Sequence, residues 1–216
     1  MATNQTDRKS AKGLPMNRRG IALAAISLVE REGLESLTMK RLAQELDRKP
    51  ASLYNHISGK QDLIEAIRAL IDEQIDASGF DELEWRPAME AWARNYLRVF
   101  SKHSKLVVVL ATTAISDPVS LATYEKVVSS LVAGGWPRGR AVAVMRTVEA
   151  FVLGSALDLL VSDTLLSRAT VPKDRVELYS NLDPALSESW NAHTAFQLGL
   201  SSLLDGLERT LAADCG

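Results

Sequence analysis

The chain has 216 residues, of which 46% are hydrophobic, and its formal net charge at pH 7 is −2. This length and apolar content are enough to bury a hydrophobic core, in one large domain or two small ones. The single cysteine, Cys215, excludes an intramolecular disulfide and a cysteine-based metal site. Because no apolar stretch has the features of a signal peptide or approaches the length of a membrane span, we expect a soluble, cytoplasmic protein with no membrane contact.

The charged residues are unevenly distributed along the chain. Residues 1–60 contain 11 Lys and Arg against 6 Asp and Glu, whereas the remainder is acidic. A basic N-terminal part followed by an acidic body predicts that any attraction to nucleic-acid phosphate is concentrated at the N-terminal end.

Residues 1–16 are polar, carry three basic side chains and show no hydrophobic periodicity. Two interpretations fit this segment. It is a disordered basic tail, which we favour, or it is a basic arm that adds phosphate or minor-groove contacts to a DNA-binding domain.

The first predicted helix begins after Asn17 as N-cap and ends at Gly33. Four apolar residues at helical spacing form its buried stripe: Ile21, Ala24, Ala25 and Leu28. A second short helix begins after Thr38, also placed as an N-cap, and ends before Asp47. We expect Asp47 to adopt a left-handed conformation, which Asp tolerates better than most residues do.

Pro50 fits the first position of the next helix, predicted over 50–57, because its missing N–H costs nothing there. Leu53 and Ile57 are expected in the core. The outward face is small or polar: Ala51, Ser52, Asn55 and His56. Two short helices joined by a tight turn, the second with a small polar face, are typical of a helix-turn-helix that inserts its second helix into the DNA major groove.

Ser58 and Gln61 have the spacing of a capping box at the start of a further helix. Apolar residues continue along that helix, at steps of three and four, as far as Ile75. This stripe is longer than the small N-terminal head, residues 17–62, requires. We therefore expect the helix to connect the head to the body, residues 63–216, and to act as a lever.

This region resembles the tetracycline-repressor (TetR) family in residue types and spacing together. The family pattern is Glu-Gly at the end of a helix, then L-T-x-x-x-L-A-x-x-L, then A-S-L-Y-x-H, then a lysine. The matching residues of this sequence are Glu32, Gly33, Leu37, Thr38, Leu42, Ala43, Leu46, Ser52, Leu53, Tyr54, His56 and Lys60. The stretch from Ala195 to Glu208 also resembles the last helix of that family. The resemblance implies an all-α fold, with a three-helix DNA-binding domain at residues 17–62 and a helical effector-binding and dimerisation domain at residues 63–216.

The resemblance also assigns DNA contacts. Four residues match positions that commonly touch backbone phosphate, with the lysine as an anchor at a helix N-terminus: Thr38, Tyr54, His56 and Lys60. Five match positions that face the groove: Lys40, Lys49, Ala51, Ser52 and Asn55. In the groove, Lys addresses guanine, Asn addresses adenine and Ala contacts a thymine methyl. Asp47 departs from the glycine that is usual in the family, which alters the turn without removing the motif.

The body is predicted to consist of further helices. The segment from Gly79 to Arg86 is acidic and loop-like, and Pro87 begins a helix. The run from Leu106 to Ile115 is rich in β-branched residues, but it has no partner strand, so we predict a buried helix or turn. Helices then follow at 119–133 and from Pro137 to about Val161, and a long, partly mobile connection over 162–191 leads to the last helix.

We expect an effector pocket in the body, with apolar walls and a few polar groups. Its predicted lining is Met89, Trp92, Tyr96, His103, Met145 and Glu149. Plain core packing accounts for the aromatic residues equally well. By the resemblance, the drug-binding His, Asn and Phe of tetracycline-binding members fall at Asp76, Trp92 and Tyr96, and their metal-binding His at Leu110. We therefore expect neither tetracycline, nor a metal, nor another cofactor.

In the family, the long helix and the last helix pair with their counterparts in a second subunit as a four-helix bundle. The resemblance thus implies a homodimer with this interface: Phe151, Gly154, Ser155, Phe196, Leu200 and Leu204. Both helices have large apolar stripes, which fits this interpretation. The alternative is that both stripes fill the core of a monomer.

Together these features predict a ligand-responsive transcriptional regulator, by family default a repressor, that binds a palindromic operator as a dimer and is released by a small-molecule effector. Two alternatives remain open. One is a DNA-binding regulator controlled by a protein partner, and the other is a helical enzyme. The enzyme is disfavoured because the sequence contains no glycine loop, nucleophile elbow or zinc-ligand spacing.

Overall fold

A computed structural model describes residues 14–165 and 167–214, and all of the regular structure in these ranges is helical. This finding confirms the all-α prediction. The predicted N-terminal tail falls largely outside the described residues, as does Cys215. Within the described part, no helix is both long enough and apolar enough to cross a membrane.

The N-terminal elements follow the predicted order. They are α1 (Arg18–Glu32), a 3-10 turn (Leu34–Ser36), α2 (Met39–Glu45), α3 (Pro50–Tyr54) and α4 (Lys60–Asp72). Asn17 caps α1, because its Oδ1 accepts the N–H of Gly20 at 2.8 Å. Gly33 ends α1 with φ +88°, in a conformation that side chains rarely adopt. All four predicted stripe residues of α1 are fully buried.

The remaining elements form the body of the chain. They are α5 (Gly79–Glu82), α6 (Trp85–Lys102), α7 (Ser104–Thr112), α8 (Pro118–Ala133), α9 (Arg138–Leu165), α10 (Val176–Asn181), a 3-10 turn (Pro184–Leu186), α11 (Ser187–Trp190) and α12 (Ala192–Asp214). The β-branched run after Leu106 is helical as far as Thr112, which agrees with the helix among the two predicted forms. It is buried on one face only, because Val108 is 53% exposed.

Three predicted boundaries in the body are corrected. The acidic segment contains the short helix α5, and α6 begins at Trp85, two residues before Pro87. Pro87 is tolerated there because the first N–H groups of a helix have no intrahelical partner. The predicted connection over 162–191 starts too early, since α9 extends to Leu165, and it includes α10 and α11.

The chain forms two compact units. Of the described residues, the first unit contains those up to Ile75 together with Lys105–Tyr124, and the second contains Asp76–Ser104 and those from Glu125 onward. In the first unit, α1 packs mainly on α4. In the second unit, α6 packs on α9, and α12 packs on both. The predicted domain boundary after residue 62 falls inside α4, which belongs as a whole to the first unit.

Candidate functional sites

The turn between α2 and α3 has the geometry that the sequence predicts. Thr38 Oγ1 accepts the N–H of Arg41 at 3.1 Å and so caps α2. Asp47 has φ +56°, and the next N–H, of Arg48, then donates back to the carbonyl of Ala43 at 2.9 Å. This left-handed residue closes the end of α2 and redirects the chain toward Pro50.

Helix α3 presents the predicted outward face. Leu53 and Ile57 are fully buried and anchor the segment, whereas Tyr54 is 53% exposed. Ala51, Asn55 and His56 are also exposed, and Ser52 is half-buried. The helix ends at Tyr54, three residues earlier than predicted, so Asn55 is its C-cap and His56 follows it.

The arginines of α1 and α2 are engaged by carboxylates. Arg31 and Arg41 contact Glu45 at 2.8 and 3.1 Å, and Arg41 also binds Glu32. The hydrogen bond from Arg41 is the main reason why the pKa of Glu32 lies below its ordinary value. Three exposed lysines make no ion pair within the described part of the chain: Lys40, Lys49 and Lys60. These lysines, together with the exposed Arg48, whose Nη1 donates to the carbonyl of Asp47, are therefore positive charges of the head that are available to an external phosphate.

The start of α4 differs from the predicted capping box. The N-cap is Gly59, one residue later than predicted, and Asp62 therefore occupies the third helical position. Asp62 Oδ2 accepts the N–H and the hydroxyl of Ser58 at 2.7 and 3.1 Å, whereas Gln61 bonds Glu65 instead. No side chain caps the first N–H groups of α4, and these groups together with Lys60 favour an anion.

A row of aromatic side chains in mutual contact extends from Phe80 of α5 along α6 in the second unit. Ring centroids are separated by 6.1 Å for Phe80 and Trp92, 5.2 Å for Trp92 and Tyr96, and 4.6 Å for Tyr96 and Phe100. Of the predicted pocket residues, five are buried: Met89, Trp92, Tyr96, Met145 and Glu149. His103 is half-buried and forms the C-cap of α6, so it differs from the other five in its surroundings.

Two polar features interrupt this apolar interior. The hydroxyl of Tyr96 donates to Glu149 Oε1 at 3.2 Å, which joins α6 to α9 through a buried carboxylate. The indole N–H of Trp92 is buried and has no hydrogen-bond partner among the described residues. Leaving such a donor unsatisfied costs about 1–3 kcal/mol, so the position favours a group that accepts a hydrogen bond.

The predicted dimer-interface residues divide into two groups. Phe151 stacks on Phe196 with ring centroids 5.6 Å apart, and Phe196 is nearly fully buried. Leu200 and Leu204 are 0% exposed, because this face of α12 packs inside its own protomer. These three side chains of α12 are therefore corrected to core residues. Gly154 is exposed and Ser155 is half-buried, in a groove of about 280 Å³ between α9 and α12.

Two cations of the first unit bind the ends of helices, and neither contact was predicted from the sequence. Arg68 of α4 is 3% exposed, and its Nη2 donates to the carbonyls of Leu110 and Thr113 at the end of α7. Lys105 of α7 donates to the carbonyl of Glu30, near the end of α1, at 2.5 Å. The feature of the sequence that could have identified Arg68 is its position on the buried face of α4, next to the apolar Ile67.

No group of three or more His, Cys, Asp or Glu side chains lies in position to hold a metal ion within the described ranges. The nine predicted DNA-contact residues all lie in the first unit, and the six predicted pocket residues all lie in the second.

Comparison with known proteins agrees with this arrangement. The family model for bacterial regulatory proteins of the tetR family matches residues 21–67, and the model for the tetracyclin repressor-like C-terminal domain matches residues 80–211. The chain therefore belongs to the TetR family of transcriptional regulators, as the sequence motifs predict.

Three similar proteins illustrate the relationship. The HTH-type transcriptional repressor DrrR1 of Streptomyces coeruleorubidus is 28% identical, over 96% of this chain and 83% of that protein. The tetracycline repressor protein class G of Vibrio anguillarum is 28% identical, over 92% and 96%. The crystal structure of a possible TetR family transcriptional regulator from Streptomyces coelicolor A3(2) has a TM-score of 0.77 and 26% identity, covering 90% of this chain and 100% of that one.

Proposed function

We propose that this chain is a ligand-responsive transcriptional repressor that binds an inverted-repeat operator as a homodimer. The observation that carries the proposal is the face around α3. Its left-handed turn at Asp47 leads into a helix whose exposed residues are those predicted to face the groove, while Lys49 and Lys60 make no ion pair within the described residues. Phosphate contacts through the lysines would position the head, and base contacts from Ala51 and Asn55 would select the sequence.

Dimerisation is proposed through the exposed flanks of α9 and α12. Small exposed residues recur on α9 at steps of four and three: Ala143, Thr147, Ala150 and Gly154. On α12, Leu198 is 70% exposed, with exposed Ala195 and Ser202 on the same face. A large apolar side chain beside small residues lets a second helix approach closely and bury the leucine, which supports a pairing of these helices between protomers.

The proposed effector site is the buried set around Trp92, Tyr96 and Glu149. A flat molecule with a hydrogen-bond acceptor would satisfy the unpaired indole N–H of Trp92. The pair of Tyr96 and Glu149 adds a second polar contact in an apolar setting, as small-molecule sites have. Magnesium-bound tetracycline is not the proposed effector, because by family resemblance Leu110 stands where the metal-binding histidine would be.

Selection from a pool of random duplexes tests DNA recognition. The purified protein is expected to enrich one inverted repeat, whereas an unenriched pool would refute sequence-specific binding. Compounds are then screened for release of that duplex. Because binding linkage is reciprocal, an effector must bind more weakly to the protein saturated with operator, by the same factor by which it weakens operator binding. Equal effector affinities with and without operator would refute the release mechanism.

A further inference from the structure

We propose that the second unit contains a separate site for a lipophilic organic cation. The site is a cavity of about 580 Å³, a size within the range of small-molecule pockets. It lies where α5 and the start of α6 face the end of α8. Its lining is Phe80, Leu83, Glu84, Trp85, Ser130, Ala133, Gly134 and Gly135. None of these residues belongs to the proposed effector set around Trp92, Tyr96 and Glu149.

One wall of the cavity is a firmly held indole. Trp85 is buried and meets Trp136 edge-on, with ring centroids 5.8 Å apart and an interplanar angle of 82°. Gly134 lies directly against the indole, since a Cβ there would lie 2.3 Å from Trp85 Cδ1. Any larger residue at 134 would have to displace the indole, so the glycine allows the ring to form a fixed wall. Phe80, also buried, adds a second aromatic surface.

The charge of the cavity is negative. Glu84 is its one ionisable lining residue, and this exposed carboxylate makes no ion pair within the described ranges. Two nearby cations are already engaged, because Lys126 contacts Asp81 at 2.5 Å and Arg86 contacts Glu208 at 3.0 Å. The C-terminal end of α8 and the N-terminal end of α6 both border the cavity and carry opposite partial charges, so the net charge of the lining comes from Glu84.

These features together select the ligand class. An aromatic wall attracts a cation through the ring quadrupole, and a neighbouring carboxylate strengthens that attraction. The apolar contribution of Phe80 and Leu83 favours a cation with hydrocarbon groups over a small hydrated ion. Phe80 also contacts Trp92, so an occupant would be one ring contact away from the proposed effector set.

The test compares phenyltrimethylammonium with its neutral isostere tert-butylbenzene, using calorimetry on the full chain without DNA. The proposal requires the ammonium compound to bind and the isostere to bind about tenfold more weakly or worse. Equal affinities, or no binding of the ammonium compound, would overturn it. Because DNA is absent, this result is independent of operator recognition.

Two matched variants locate the site. Glu84→Gln keeps the side-chain shape and should weaken phenyltrimethylammonium about tenfold, while Glu82→Gln, at an exposed carboxylate outside the lining, should not. Ala133→Leu fills the cavity from an exposed position and should abolish binding while the circular dichroism spectrum stays native. If Glu84→Gln and Glu82→Gln bind alike, or if Ala133→Leu binds like the wild type, the cation does not occupy this cavity.

Discussion

At the residue scale, ion pairing determines which charges of the N-terminal head are available. Arg31 and Arg41 contact Glu45, and Arg18 contacts Asp62 at 2.7 Å, so these arginines are already neutralised. Lys49 and Lys60 are exposed and lack an ion pair in the described part of the chain. Counting basic residues along the sequence does not reveal this division, because it depends on which carboxylates the fold places beside each arginine.

Lys60→Ala should weaken binding to every duplex alike, because one phosphate contact is lost. It should also reduce the slope of log affinity against log salt concentration by about one unit. Asn55→Ala should instead change the preference at one base pair, by about 1–3 kcal/mol. Binding is measured on the selected operator and on scrambled DNA at several salt concentrations. Lys173→Ala, which removes an exposed lysine in the second unit, is the charge-matched control. A Lys60→Ala salt slope equal to that of the control would contradict the proposed docking.

Local chemistry made several residues of the head predictable. Thr38, Asp47 and Pro50 were assigned correctly because a cap, a left-handed turn and a first helical position each select few residue types. The pairing of Ser58 with Gln61 was wrong because α4 begins one residue later than predicted, which exchanges the roles of neighbouring side chains. The sequence pattern fits a helix with either Ser58 or Gly59 as N-cap, so the pattern alone does not distinguish the two.

At the element scale, Asp62 connects α1 with the start of α4. Burial alone would raise the pKa of Asp62, but the hydrogen bonds from Ser58 and Arg18 outweigh it and lower the pKa below the ordinary value. A carboxyl with a lowered folded-state pKa contributes stability that is present above its unfolded pKa, about 3.9, and is lost as the pH falls through the folded pKa.

Asp62→Asn should therefore lower the free energy of unfolding at pH 7 and weaken its fall below about pH 4. Urea denaturation at pH 7 and at several acidic pH values measures both effects. Asp174→Asn, at an exposed aspartate of the second unit, is the control. A pH dependence identical to that of the wild type would show that the contacts with Arg18 and Ser58 do not favour the charged carboxylate.

The buried Arg68 joins α4 to the end of α7. A guanidinium buried among apolar side chains must have its donors satisfied where it lies. The carbonyls of Leu110 and Thr113 supply acceptors at the negative end of α7. Together with the contact of Lys105 with Glu30, this bond ties α7, from Lys105 onward, to the other helices of the first unit.

Arg68→Met keeps much of the side-chain volume but removes the charged donors. It should lower the free energy of unfolding by about 1.5–3 kcal/mol, the usual contribution of hydrogen bonds to charged groups. Amide hydrogen exchange should rise in residues 105–113 before it rises in α1. Arg98→Met, at an exposed arginine, should change neither quantity. Unaltered exchange over 105–113 in Arg68→Met would exclude this role.

At the scale of the whole molecule, the apolar residues of α9 and α12 lie on two kinds of surface, the core of the protomer and the exposed face proposed for dimerisation. Periodicity predicted both helices and the residues of their stripes. The family resemblance assigned Phe196, Leu200 and Leu204 to a partner, whereas they lie in the core of the protomer. A helix that is apolar on more than one side packs one apolar face into the core and leaves another apolar face uncovered. Only the packing of α6 and α9 determines which face remains for a second protomer.

Leu198→Asp should therefore produce a folded monomer, because Leu198 is 70% exposed in the protomer and its replacement leaves the core intact. Leu204→Asp should instead unfold the chain, because it buries an unpaired charge. Sedimentation at micromolar concentration gives the mass, and circular dichroism gives the fold. A wild type that sediments as a monomer, or a Leu198→Asp variant that remains dimeric, would contradict the proposed interface.

The spacing of the operator half-sites tests most directly the claim that the chain reads DNA as a two-fold dimer. Two identical recognition helices must meet half-sites about 34 Å apart, one turn of DNA. The measurement is the affinity for the selected operator compared with a duplex whose half-sites are separated by an additional half turn, about 5 base pairs. We predict that the insertion reduces the affinity to that of scrambled DNA, because the second half-site then faces the opposite side of the duplex. An affinity that is unchanged by the insertion would contradict the claim.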